Sequence, residues 1–286
     1  MQEIAPTRKV LRVARKFLKL PPLPEEQMGI IGPDPEDSRD LIKSAPDGEL
    51  KPIDLTQKYF KPKAFKIRDQ ARTNRCAGFA GGSGLHVVSA KLQSLAGRPD
   101  ITLPDGFSAN EVYWHARRNK EKDGGVFMRD LMVALKKHGS VDVRAWPDHH
   151  SLYSRPIAVE TLGRFKIPGY ASINMRNATE GFDTIKRVLS IEELPLFVGT
   201  KMFRNVSRNA GYSGFFTLPG SKDKTDGYHA MLCVGWFRRE KDGGEYLILV
   251  NSWGPRYGAW GFVFIPKEYV LAGFMTNVWT LPDNTY

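Results

Sequence analysis

Two patterns of apolar residues follow one another along this chain. Before about residue 140 the apolar positions recur at three- and four-residue spacing, which predicts helices. After about residue 165 they gather into short runs, which predict buried strands. A long helix is expected over residues 77–95, although Gly78, Gly81, Gly82 and Gly84 lower its intrinsic propensity. So many glycines on one helix imply that another backbone packs closely against it. Ser108 is placed to cap a second helix, with Glu111 completing a capping box and Val112, Tyr113 and Ala116 on its apolar side. A third helix is expected through residues 131–138, closed by Gly139, and a fourth over 185–194. Strands are expected at 170–174, 195–199, 230–237, 245–250 and 261–265, and the remainder of the second half reads as turns.

The first 48 residues look different. Residues 7–20 place Val10, Leu11, Val13, Ala14, Phe17 and Leu18 among six basic side chains, the pattern of an amphipathic basic helix. Such a helix could lie on a membrane, dock on a partner or pack on the protein's own body. Residues 21–47, rich in proline, glycine and acidic groups, read as an extended linker. The expected organisation is therefore 1–48 as an N-terminal extension and 49–286 as the main domain, helical over roughly 70–165 and strand-rich over 166–286.

Composition narrows the class. The 286 residues, 41% of them hydrophobic, can bury a substantial core. With two cysteines, Cys76 and Cys233, the chain has little capacity for disulfides, which suggests a cytoplasmic or other reducing compartment; a virion-borne or injected protein would look the same. No apolar run is long enough to span a bilayer, and no secretory signal is visible. Isolated cysteines and scattered histidines lack metal-ligand spacing, so neither a metal nor an organic cofactor is expected. The net charge of +11 is dispersed and accompanies no nucleic-acid motif, which points to a solvated charged surface first and, second, to an acidic protein or anionic surface as a partner through charge.

The candidate chemistry begins at Cys76. It precedes a predicted helix, where unpaired N–H groups and the macrodipole favour a thiolate, and Arg72 and Arg75 add positive charge. His229 heads one apolar strand, and Asn251 ends another in the run Asn251-Ser252-Trp253-Gly254. Cys, His and Asn in this order, with Gln70 before the cysteine, resemble the papain-like cysteine peptidases. The resemblance covers roughly residues 52–281. It implies an α+β, two-lobed fold with a helical left lobe, a β-rich right lobe and a cleft between them. It also implies amide hydrolysis of peptide or protein substrates, with Cys76 as nucleophile, His229 as acid and base, Asn251 orienting His229, and Gln70 as an oxyanion donor. Trp253 matches an indole that shields the His–Asn pair, and Gly124-Gly125 matches a paired-glycine rim along which an extended substrate pairs. Gly124, Gly125, Trp253 and Arg75 are thus the expected substrate-side residues, and residues up to about 48 resemble a pro-segment by position.

Some features depart from the family. The upstream cysteine of the family pattern is missing, and Ala77 replaces the aromatic after the nucleophile, opening the wall beside Cys76. Arg75 is bulky and charged, suited to an anionic substrate group or to blocking part of the cleft. The contrasting expectation is a papain-fold scaffold that binds through its basic surface and performs no chemistry. Cys233 reads as a core residue.

Overall fold

The computed structural model describes residues 28–61, 64–98 and 106–283, so the basic helix expected at residues 7–20 lies outside it. After a short strand β1 (Ile53–Asp54), helix α1 (Leu55–Tyr59) is capped by the Asp54 carboxylate. Helix α2 (Cys76–Leu95) runs through the core, buried from Cys76 to Lys91. Its glycines have the predicted use: a Cβ on Gly82 would lie 2.7 Å from the Phe107 carbonyl oxygen, and one on Gly78 would meet the Ala109 carbonyl and Tyr113. Close approach of helix α3 (Ala109–Ala116) to α2 thus outweighs the lost helix propensity.

Ser108 caps α3 by accepting from the Glu111 N–H at 3.2 Å. The reciprocal half of the expected capping box is absent. The Ser108 N–H donates to Val141, while the buried Glu111 carboxylate serves His115, Arg155 and Arg164. Two guanidinium groups and an imidazole around one buried carboxylate outcompete a single backbone donor. Helix α4 (Met128–Lys137) follows, and Gly139 ends it at φ +66°.

The second half contributes an antiparallel sheet in the order β2-β7-β3-β4-β5-β6, with β1 added to β4. The strands are β2 (Ala171–Ser172), β3 (Leu196–Phe203), β4 (Thr225–Arg238), β5 (Glu245–Val250), β6 (Phe262–Pro266) and β7 (Met275–Thr280). β4 is longer than its apolar run predicts, because pairing with β3 extends it back to Thr225. It bulges between Cys233 and Gly235, where a Cβ would strike the Ile53 backbone of β1. The helix expected at 185–194 is displaced. Asn177 caps α5 (Ala178–Arg187), which widens into a π turn over Val188–Glu192 and ends on Glu193 in the left-handed region. The sequence reading also missed helices α6 (Arg204–Ser213) and α7 (Lys267–Leu271), which interrupt what was expected to be strands and turns. No described helix is long and apolar enough to cross a membrane. Helices in the first half against an antiparallel sheet in the second make the fold α+β.

The extended linker expected at 21–47 is corrected in its placement from residue 28 onward: the chain is extended but docked on the body. The Ile42 region pairs with Ser172, and buried Lys43 meets Glu192 at 2.6 Å and Asp283 at 2.7 Å. Further upstream, Ile30 bridges both Val126 and Tyr228. The strip between helices and sheet, where a cleft would open, is filled by the chain's own residues.

Candidate active site

Cys76 is the first residue of α2, and its predicted helix-terminal position is realised. The N–H of Ala230 donates to Sγ at 3.4 Å, and the N–H groups of Gly29 and Ala77 add their partial positive charge. These favour a thiolate, yet the thiol pKa is pushed up to about 11, because the side chain is completely buried. Helix-terminal stabilisation is about 0.3–1 kcal/mol and rarely above 2. Full burial can move a pKa by several units. Desolvation wins. The positive push expected from Arg75 is not among the causes; half-buried Asp123 instead adds a small upward one.

His229 comes from β4, opposite Thr200 of β3, and is itself fully buried. Its Nε2 meets Asn251 Oδ1 at 2.7 Å, so the neutral ring carries its proton on Nε2 and leaves Nδ1 as a lone pair. Nδ1 has no hydrogen-bond partner among the described residues. Burial drops the imidazole to about 4, against a smaller upward pull from Asn251. Trp253 stacks on His229 with ring centroids 4.3 Å apart and is backed edge-on by Tyr257. It covers the imidazole and is itself nearly buried.

Gln70 is buried and tied on both sides. Its Oε1 accepts from Ser252 Oγ at 2.6 Å, its Nε2 donates to the Thr73 carbonyl, and its own N–H donates to the Ser252 carbonyl. The loop before the cysteine is therefore stapled to the Asn251–Trp253 stretch. Its tight turn passes through Ala71 at φ +53°.

The expectation for Arg75 is overturned. Its side chain is turned into the body, donating to Thr73 Oγ1, Asn110 Oδ1 and the Asp148 carbonyl and lying over Phe79. Buried acceptors draw the guanidinium inward, so it neither meets an anionic group in the cleft nor blocks it. The opening expected beside Ala77 is also absent, since Ala77 is fully buried. Both cysteines are free, and Cys233 is the core residue expected. No described cluster of three or more His, Cys, Asp or Glu could hold a metal.

What covers Cys76 is the segment around Met28–Ile31, within the stretch that resembles a pro-segment by position. Its backbone pairs on both sides: Ile30 N–H to Tyr228 C=O at 3.3 Å, Ile31 N–H to Val126 C=O at 3.3 Å, and Val126 N–H to Gly29 C=O at 2.9 Å. Gly125 allows this approach, because a Cβ there would sit 2.9 Å from Ile31 Cγ1. Gly124 faces open space. Asn277 and Asp34 then anchor the strip: Asn277 Nδ2 donates to Gly32, the Asp34 N–H donates to Asn277, and Trp279 Nε1 donates to Asp34. An apolar groove of about 930 Å³ opens elsewhere, beside Trp260 and Phe262, and none of the expected site residues lines it.

Comparison with known proteins bears on the fold. Residues 190–279 match the sequence model of the papain family cysteine proteases. An uncharacterised peptidase C1-like protein of Acanthamoeba polyphaga mimivirus is 26% identical over 61% of this chain, and a cysteine proteinase of Brassica napus is 22% identical over 71%. The chain spans 58% and 56% of those relatives' lengths. Among solved structures, xylellain, a cysteine protease from Xylella fastidiosa, superposes with TM-score 0.69 at 21% identity, covering 93% of this chain and 99% of its own. Procathepsin B S9 of Trypanosoma congolense gives 0.66 at 15%, covering 92% and 88%. The fold is papain-like, two-lobed, with the cleft between the lobes.

Proposed function

We propose that this papain-fold chain is a cysteine peptidase whose active site is held latent by its own residues 28–34. Supporting this reading, Cys76 Sγ accepts from the Ala230 N–H next to His229, His229 meets Asn251, Gln70 is tied to the adjoining Ser252, and an extended peptide is paired beside them. In the open enzyme, His229 Nδ1 takes the Cys76 proton. The thiolate attacks a peptide carbonyl carbon, forming the C–S bond and moving the carbonyl π pair onto oxygen. That oxyanion is held by the Cys76 N–H and the Gln70 amide. Collapse breaks the C–N bond, and the leaving amine takes the proton from Nδ1. Water then attacks the thioester with His229 as base, releasing the acid and restoring the thiol. Asn251 holds the ring in the productive tautomer throughout, and Trp253 keeps water from that bond. The rim at Gly124, Gly125 and Val126 binds the substrate backbone.

In the latent form the segment occupies the backbone groups a substrate would use. Burial favours a neutral thiol and a neutral imidazole. Residues 1–48 are then a pro-segment, with residues 28–34 as its displaceable cover over the site. The contrasting scaffold reading draws on the same sealed cleft and raised thiol pKa.

A thiol-directed epoxysuccinyl probe read by intact mass separates the two, with a peptide-library turnover assay alongside. Single labelling that Cys76→Ala abolishes and His229→Ala slows, together with thiol-dependent turnover, is the expected result. In Gly29→Ala protein, where the cover is displaced, labelling unchanged by His229→Ala and rising only at alkaline pH would sink the enzyme reading.

A further inference from the structure

The cysteine loop and the glycine rim are tied to each other by one side chain. The Asp123 carboxylate accepts the Asn74 N–H through both oxygens, at 3.1 and 3.0 Å. In return Asn74 Nδ2 donates to the Asp123 carbonyl at 3.0 Å. The Tyr113 hydroxyl lies 2.8 Å from Asp123 Oδ1 and 2.7 Å from the Gly124 carbonyl. Tyr113 is fully buried on α3 and packed against Gly78, which makes it a rigid post. Asn74 is two residues before Cys76. Asp123 is two residues before Gly125 and three before Val126, whose N–H and C=O pair with the extended segment. The Asn74 carbonyl is itself the wall against which Gly29 lies.

We propose that Asp123 is a positioning residue. It sets the distance between the nucleophile and the backbone rim that presents a peptide to it, acting through Asn74 and Tyr113. This rests on the peptidase reading, because the geometry matters to catalysis only if Cys76 attacks a chain bound on that rim. The chain holds the two elements together without a covalent link, as both its cysteines are free. Misplacing reacting groups by about 1 Å costs on the order of 10²-fold in rate.

The test uses full-length protein carrying Asp123→Ala, Asp123→Asn or Tyr113→Phe. Each is assayed for peptide kcat/KM and for Cys76 alkylation by iodoacetamide, which needs the thiol but not the rim. Their ratio cancels the cleft opening common to both. Asp123→Ala is expected to lower the ratio about 30-fold and to speed amide exchange at Asn74 and Val126. Asp123→Asn can still accept from Asn74 N–H through Oδ1 while its amide donates to the Tyr113 oxygen, so it restores the ratio to within about 3-fold. Tyr113→Phe removes one tie and gives an intermediate ratio, an outcome available even if the alanine variant does not fold. An unchanged ratio and unchanged exchange in Asp123→Ala and Tyr113→Phe would overturn the proposal. Failure of the peptidase reading looks different: wild-type protein turns over no peptide, while exchange at Asn74 still responds to Asp123→Ala.

Discussion

Replacing Gly29 by alanine puts a methyl group where the protein has no room for one. Its Cβ would lie 2.5 Å from the Asn74 carbonyl carbon and closer still to the oxygen, and these are backbone atoms that cannot swing aside. The segment must retreat by more than an ångström. Three backbone hydrogen bonds hold it at Gly29–Ile31, each contributing about 1 kcal/mol. The buried Ile30 side chain contributes about 1.5–3 kcal/mol more. Retreat at Gly29 loses the Val126 bond and the contact with Cys76 outright, and weakens the pairing of Ile30. The expected loss is about 2–3 kcal/mol, which raises the open fraction on the order of 10²-fold at 1.4 kcal/mol per tenfold. The assay is the second-order rate of Cys76 alkylation at pH 7, with peptide turnover measured beside it. Both should rise together by that factor, while circular dichroism and the melting profile show a folded protein. Ile30→Asp, which places a charge in the same apolar seat, should act in the same direction. A folded Gly29→Ala protein labelled at the wild-type rate would refute the idea that residues 28–31 gate the thiol.

The catalytic assignments give further outcomes. In opened protein, Gln70→Ala should lower kcat by about 10²–10³ with a smaller change in KM, because the lost donor acts on charge that develops only in the transition state. Cys233→Ser should leave labelling single and at Cys76, since burial drives the Cys233 thiol up to about 12 and keeps it unreactive. Stability of the closed form should show a plateau in pH. The folded His229 pKa is depressed from 6.5 to about 4, so its contribution is present above 6.5 and is lost as pH falls toward 4. The folded Cys76 pKa is raised from 9.0 to about 11, so its contribution is present below 9 and is lost as pH rises toward 11. Denaturation midpoints should be flat between about 6.5 and 9 and fall on both sides, each group changing stability by at most about 1.4 kcal/mol per pH unit. His229→Gln should remove the acid-side slope that this residue supplies, and an unchanged slope would contradict the assignment.

Local rules in the chain determined the parts that local physics controls. Ser108, Gly139 and the four glycines of α2 each act within a few residues or require one close neighbour, so caps, ends and close packing were legible. Apolar runs marked β2, β5 and β6 nearly in full and about half of β3 and β4, and the order Cys76, His229, Asn251 marked a candidate reactive cluster. Where several partners compete for one group, the sequence was silent. Arg75 reads as a free charge until the fold supplies Asn110 and the Asp148 carbonyl, which draw it inward. Glu111 reads as half a capping box until Arg155 and Arg164 arrive from 44 and 53 residues away. The tie between Asn74 and Asp123 spans 49 residues and leaves no periodic signal.

The largest change concerns Met28–Ile31. A short apolar stretch after a proline-rich run reads as linker, because nothing nearby demands its backbone N–H and C=O groups. Only the tertiary structure brings Val126 and Tyr228 to either side of it, and those unpaired backbone groups turn an extended chain into a bound one. The same closure decides the electrostatics. A helix N-terminus lowers a thiol pKa in any sequence, but whether water reaches that thiol depends on what the fold lays over it.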